Sequence, residues 1–203
     1  YPFPSYFLDF ETAMFAVPIW AGTRPYQQIP FQFSLHVLSS TGELFHQEFL
    51  DLSGDDPCRP FAQALVDACS VEGPIFVYSA RFEKTRIKEL ADRFPDLRTR
   101  LLDINSRMVD LLDIAINRYY HPSQQGSWSI KNVLPAIVPD MGYDLLDGVQ
   151  NGEMAMTAFK EAIDASCSID HKREIEAQLR QYCALDTLAM VKIWEVFRGS
   201  FTT

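Results

Sequence analysis

Tyr6-Phe7-Leu8-Asp9-Phe10-Glu11-Thr12 is the stretch on which the fold turns. A short apolar run, Tyr6–Phe10, reads as a buried strand that ends in acid. In extended backbone alternate side chains leave the same face, so Asp9 and Glu11 point together. Two carboxylates that close repel, and each raises the other's pKa unless a cation sits between them. Hard divalent cations such as Mg²⁺ take that arrangement of oxygens. An Asp-x-Glu alone arises easily among 27 acids, so its meaning depends on what the rest of the chain supplies.

Working outward, Ile29–Leu38 alternates, with Phe31, Phe33, Leu35 and Val37 assigned to one face of a second strand. The turn cluster Ser39-Ser40-Thr41-Gly42 leads into Glu43–Leu50, which makes a hairpin. Asp55-Asp56-Pro57 opens a helix with Phe61, Ala64, Leu65, Ala68 and Cys69 at helical spacing, and Gly73-Pro74 stops it. Ile75–Tyr78 is a short strand, and a helix from Arg81 presents Phe82, Ile87, Leu90 and Phe94. Asn105–Leu112 fits either strand or helix. Ser123–Gly126 reads as loop, Ser129 as the cap of a short helix through Ala136, and Pro139–Gly148 as irregular. Asn151–Ala165 and His171–Arg198 read as helices. Strands first, then alternation, then helices imply a mixed sheet with helices packed on it.

The last helix carries a second anomaly. Its apolar stripe runs Ile175, Leu179, Tyr182, Ala189, Ile193 and Phe197, and Asp186 lies on that stripe. A carboxylate facing a core is costly unless it is paired or binds a cation. Read alone, Asp186 also fits an acid at the stripe's edge paired to an arginine, and Tyr182 also fits core packing. Glu83 is the third anomaly, at the start of the helix after Ile75–Tyr78, where an acid also suits the helix dipole. Oxygen-only clusters drawn from distant segments are how two-metal phosphoryl-transfer sites are built.

Composition sets the outer bounds. The chain has 203 residues, 47% hydrophobic and 22% charged, which suits one domain and excludes disorder and a disulfide-stapled peptide. Eighteen Lys and Arg against 27 Asp and Glu give a net charge of −9, which excludes a uniformly basic nucleic-acid coat but not nucleic acid as substrate. Residues 81–131 carry 10 basic and 7 acidic groups and are the one net-positive third, with Arg81, Lys84, Arg86 and Lys88 closely spaced. That run fits either an anion-facing surface or a solvated helix face. Cys58, Cys69, Cys167 and Cys183 form no Cys-x-x-Cys pair and read as reduced, buried thiols of a cytoplasmic protein. No apolar run approaches the ~20 residues of a membrane span. A chain that starts at Tyr1 without a signal peptide is expected to be one domain, 1–203, of a longer protein. His36, His46, His121 and His171 show no ligand spacing, and His121-Pro122 is turn chemistry.

Asp9-x-Glu11, Phe82-Glu83 and Tyr182-x-x-x-Asp186 together resemble the three motifs of the DEDD 3′–5′ exonucleases. Tyrosine in the third motif marks the tyrosine branch, since the histidine branch would place His where this chain has Gln181. Within that superfamily the chain is more narrowly similar to a bacterial domain family of unknown function. The strings that carry this likeness are Tyr6–Thr12, Phe82-Glu83-Lys84-Thr85-Arg86, Gly126-Ser127-Trp128-Ser129-Ile130-Lys131 and Tyr182–Met190, so it spans residues 6 to 196. The resemblance implies a ribonuclease H-like α/β fold, a five-stranded mixed sheet flanked by helices. The Asp9 strand would lie at its centre, with Glu83 arriving from the neighbouring strand. It implies a metal-dependent 3′–5′ exonuclease acting on single-stranded DNA or RNA. Asp9, Glu11, Glu83 and Asp186 would hold two Mg²⁺ or Mn²⁺ ions, and Tyr182 would orient the attacking water.

Lys131 belongs to a string of the resemblance and is a candidate phosphate contact. Arg81, Lys84 and Arg86 join it on charge. Trp128, Phe10 or Phe82 would stack on a base or fill the core. One departure matters: the superfamily's second motif has Asp where this chain has Glu83, which moves the carboxylate by about 1.5 Å. Asp110 and Asp113 are fallback ligands with a structural reading beside them. An exonuclease-like module that has lost catalysis and binds nucleic acid or protein, and an endonuclease of the ribonuclease H-like group, stay open at this point.

Overall fold

A computed structural model describes residues 1–70 and 72–199. Five strands form one sheet: β1 (Ser5–Ala13), β2 (Ile29–Leu38), β3 (Leu44–Leu50), β4 (Ile75–Val77) and β5 (Met108–Asp110). Their spatial order is β3-β2-β1-β4-β5, with β1 in the centre. β1 runs antiparallel to β2, β2 antiparallel to β3, and β1, β4 and β5 run parallel. Seven α-helices flank this mixed sheet among the described residues: α1 (Cys58–Ala68), α2 (Arg81–Arg93), α3 (Arg98–Ser106), α4 (Leu111–Arg118), α5 (Ile130–Ile137), α6 (Gly152–Ala162) and α7 (Ile169–Phe197).

The side-chain period of two in β1 divides the core. Tyr6, Leu8 and Phe10 enter the cluster made with α1, α2 and α3, where Phe10 meets Phe61 edge-on at 5.0 Å. Phe7 and Ala13 face the opposite layer, which α7 crosses with α5 and α6. Asp9 and Glu11 share the odd positions of β1 with these residues and so lie under α7. β1 is longer than the apolar run Tyr6–Phe10 because Glu11 and Thr12, polar by type, are buried and continue its pairing with β2.

Phe31 departs from the face given to it by alternation. The register slips from Glu11↔Gln32 to Thr12↔Pro30, so β2 holds one extra residue there. Such a bulge turns a side chain to the other face. Phe33 and Leu35 remain with α1, while Phe31 stacks on Phe159 of α6 at 4.0 Å. The polar alternates of β2 are buried under α7 rather than solvated. Gln32 donates to the Leu179 carbonyl at 2.9 Å, and the Thr187 hydroxyl lies 2.7 Å from Ser34 Oγ and 2.8 Å from His36 Nδ1. Burial and the neighbouring His46 bring His36 down to about 4, so its ring stays neutral.

Asn105–Leu112 resolves into three pieces, the end of α3, β5 and the start of α4. Ser129 stands at the N-cap of α5, but its hydroxyl makes no capping bond there. The cysteines are all free thiols. Cys58, Cys69 and Cys183 are buried, while Cys167 is half-buried rather than buried. Among the described residues, no helix is long and apolar enough to cross a membrane.

Candidate active site

β1 delivers two of the four acids. Asp9 and Glu11 leave the same face at the middle of the sheet, beside β4 and under α7. β4 ends at Val77, and the chain turns through Ser79, whose φ of +75° lies in the left-handed region, before α2 begins. Asp110, at the end of β5, holds this turn. Its carboxylate accepts from Ser79 N at 3.0 Å and Ala80 N at 2.7 Å, and also caps α4 through Leu112 N at 2.9 Å. The structural reading of Asp110 is therefore the one that fits. It fixes the first turn of α2, from which Glu83 projects. Asp113 lies in a separate hollow with Ile114, Asn117 and Arg118.

α7 brings Tyr182 and Asp186 down on β1 from the end of the chain. A cavity of about 630 Å³ gathers Asp9, Glu11, Glu83, Tyr182, Asp186 and Lys131. Glu11, Glu83 and Asp186 are 6%, 3% and 6% exposed, so three of the four carboxylates are largely withdrawn from bulk solvent, while Asp9 is half-buried. Glu83 Oε2 is buried without a hydrogen-bond partner among the described residues. An unpaired buried carboxylate oxygen is costly.

The electrostatics follow from crowding. Burial pushes Asp9 well above the usual carboxylate range, and Asp186, Glu11 and Glu83 push it further. Glu11 rises through burial and Asp186, with the Lys131 ammonium pulling back. Burial raises Glu83 to about 8. Asp186 rises through burial to about 6, held down by Tyr143, Lys131 and Tyr182. Burial and these same acids push the Tyr182 phenol upward, so it serves as a hydrogen-bond donor and not as a base at neutral pH.

Tyr143 is the residue that sequence reasoning missed. It stands in a short 3₁₀ turn, Tyr143–Leu145, within the stretch read as irregular. Its hydroxyl donates to Asp186 Oδ1 at 2.5 Å. Asp186 is thus paired to a tyrosine rather than to an arginine. A phenol in a stretch without regular alternation gives no periodic signal, and only the loop's return to α7 reveals it.

Of the four basic candidates, Lys131 alone lines the cavity. Its Nζ donates to the Gln150 carbonyl at 2.6 Å and lies 5.0 Å from the ring centre of Tyr143 and 5.5 Å from that of Tyr182. Arg81 is exposed on α2. Arg86 is ion-paired to Glu89 at 2.9 Å and stacks over Phe82, and the Lys84 carbonyl accepts from Asn105. Phe10 and Phe82 line the cavity while belonging to the core cluster beneath it. Trp128 is outside the lining, with its indole N–H donating to the Tyr119 carbonyl at 3.0 Å. His121 closes a turn through Ser123 and Gln124.

The donor set suits hard divalent cations. Four mutually repelling carboxylates converge, and one buried oxygen has no partner among the described residues. A thiol joins them: ligand atoms of Asp9, Glu11 and Cys183 all lie within 4.8 Å of one another.

Neither the curated proteins nor the solved structures contain a match to the chain. One protein family does match, over residues 6–129, a span that holds Asp9, Glu11 and Glu83 and stops before Lys131, Tyr182 and Asp186. That span is more than half of the sequence, and the chain therefore belongs to the family described as a domain of unknown function, DUF2779.

Proposed function

We propose that this domain is a metal-dependent 3′–5′ exonuclease of the DEDD tyrosine branch, with a ribonuclease H-like fold. The observation that carries the reading is the convergence of Asp9, Glu11, Glu83 and Asp186 from β1, α2 and α7 on one cavity beside Tyr182. A central β1 flanked by antiparallel β2 and parallel β4 agrees with the fold that the resemblance implies.

Asp9, Glu11, Glu83 and Asp186 would hold two Mg²⁺ or Mn²⁺ ions. When bound, the ions supply an ionised water at neutral pH and stabilise the leaving 3′-oxygen. The protein's own groups do the rest. Tyr182, kept protonated by its surroundings, donates a hydrogen bond that orients the attacking water. Tyr143 holds the Asp186 carboxylate in one rotamer. Lys131, tethered to the Gln150 carbonyl within the cavity, offers its ammonium to a phosphate oxygen. The partner is single-stranded DNA or RNA.

The test is incubation of 3′-labelled and 5′-labelled single strands with the protein and Mn²⁺. Mononucleotides should leave from the 3′ end, and Asp9→Ala and Asp186→Asn should each abolish release. Activity that survives both substitutions overturns the assignment.

A further inference from the structure

Cys183 follows Tyr182 on α7 and is fully buried. Sγ lies 4.0 Å from the Asp9 carbonyl oxygen, and within 4.8 Å of carboxylate oxygens of both Asp9 and Glu11. Ligand atoms around a tetrahedral ion at 2.0–2.3 Å stand about 3.3–3.8 Å apart, so small side-chain rotations close this triangle on one ion. Asp9 and Glu11 line the cavity together with Glu83, whose Oε2 is buried without a partner among the described residues, while Cys183 meets the two β1 acids from outside that lining. The hard ions of the proposed reaction have little affinity for sulfur and leave a buried thiol protonated.

We propose that Cys183 gives this acidic site a second, thiophilic binding mode, in which Zn²⁺ or Cd²⁺ is held by the Cys183 thiolate with the Asp9 and Glu11 carboxylates and excludes the hard ions. The proposal rests on the reading of these acids as a metal site. On binding, the S–H bond breaks, its proton passes to solvent, and a sulfur–metal bond forms. Occupancy in this mode is inhibitory, because the ion takes the two β1 carboxylates that the hard ions require. Micromolar Zn²⁺ should then act as a brake on the same site that Mn²⁺ activates.

The test is ultraviolet titration of the metal-free protein with Cd²⁺, which reports thiolate-to-cadmium charge transfer, alongside calorimetric titration with Mn²⁺. The wild type should show a charge-transfer band that Asp9→Ala loses. Cys183→Ser and Cys183→Ala, both checked for folding by circular dichroism, should lose the band. Their Cd²⁺ affinity should fall on the order of tenfold or more while Mn²⁺ affinity stays within about threefold. A band and Cd²⁺ affinity unchanged in both cysteine variants, with Mn²⁺ binding intact, overturns the thiophilic mode and leaves the hard-metal site standing. A wild type that binds neither ion overturns both.

Discussion

Tyr143 donates its hydroxyl to Asp186 Oδ1 at 2.5 Å across 43 residues of sequence, tying the loop before α6 to the acid on α7. Both groups are buried, so the bond fixes the orientation of a carboxylate that burial alone would leave unsatisfied. Tyr143→Phe should cost about 1–3 kcal/mol in urea unfolding of the metal-free protein, because a buried acceptor loses its donor. It should also weaken Mn²⁺ binding without altering the sheet. An unchanged unfolding midpoint would show that the bond does not hold the site.

The acid cluster dictates a pH dependence of an unusual sign. Asp186 is raised from 3.8 to about 6 and Glu83 from 4.5 to about 8, both chiefly by burial. The folded chain therefore keeps protons that the unfolded chain has lost. This contribution to stability is full below the unfolded values and fades as pH rises through about 6 and then about 8. The metal-free melting temperature should fall from pH 6 to pH 9, and Glu83→Gln should flatten the upper part of that fall. Mn²⁺ competes with the same protons, so its stabilisation should be larger at pH 8 than at pH 6 and vanish in Asp9→Ala. Absence of any Mn²⁺ shift in the wild type would favour a binding module without catalysis.

Asp110 positions Glu83 from behind. Replacing it with Ala frees Ser79 N, Ala80 N and Leu112 N at once. The loss should be about 3 kcal/mol, since one charged acceptor serves two element ends. The proposed nuclease activity should fall with it, because Ser79, at φ +75°, then lacks its anchor and the first turn of α2 shifts. Asp110→Asn, which retains one carbonyl acceptor, should be milder in both readouts.

Thr187, next to Asp186 on α7, ties that helix to β2. Its hydroxyl meets Ser34 Oγ at 2.7 Å and His36 Nδ1 at 2.8 Å, while Ser34 also meets His46 Nε2 at 2.8 Å. Thr187→Val keeps the shape and removes the hydroxyl, leaving His36 Nδ1 buried without its partner. The expected destabilisation is about 2 kcal/mol, read by chemical denaturation. No change would mean that the His36 contact contributes nothing net.

Where periodicity and burial agreed, the fold was legible. Ile29–Leu38 reads as a strand and is one, end to end. Alternation is blind to bulges, so it placed Phe31 on the wrong face. α3 and α4 were unreadable because they are only nine and eight residues long, too short for a clear period, and β5 between them is only three residues long. For the site, Asp186 stood out as an acid on an apolar stripe and Asp9 and Glu11 as an acidic pair ending an apolar run, while Glu83, which also suits the helix dipole, was singled out by the resemblance. Charge alone gave no guide to which cations reach the cavity. Arg81, Lys84 and Arg86 sit on α2 outside its lining, while Lys131 enters it. Tyr143 and Cys183 carry no anomaly of type or spacing, and only the packing of α7 on β1 brings them to the acids.

Four acids from three distant segments are proposed to form one two-ion site, and a crystal soaked in Mn²⁺ would reveal it. Anomalous scattering should locate two ions about 4 Å apart, with Asp9 contacting both and Glu11, Glu83 and Asp186 completing the shells. A cavity that stays free of Mn²⁺, or ions bound away from Asp9, would rule out a two-ion site built on these acids.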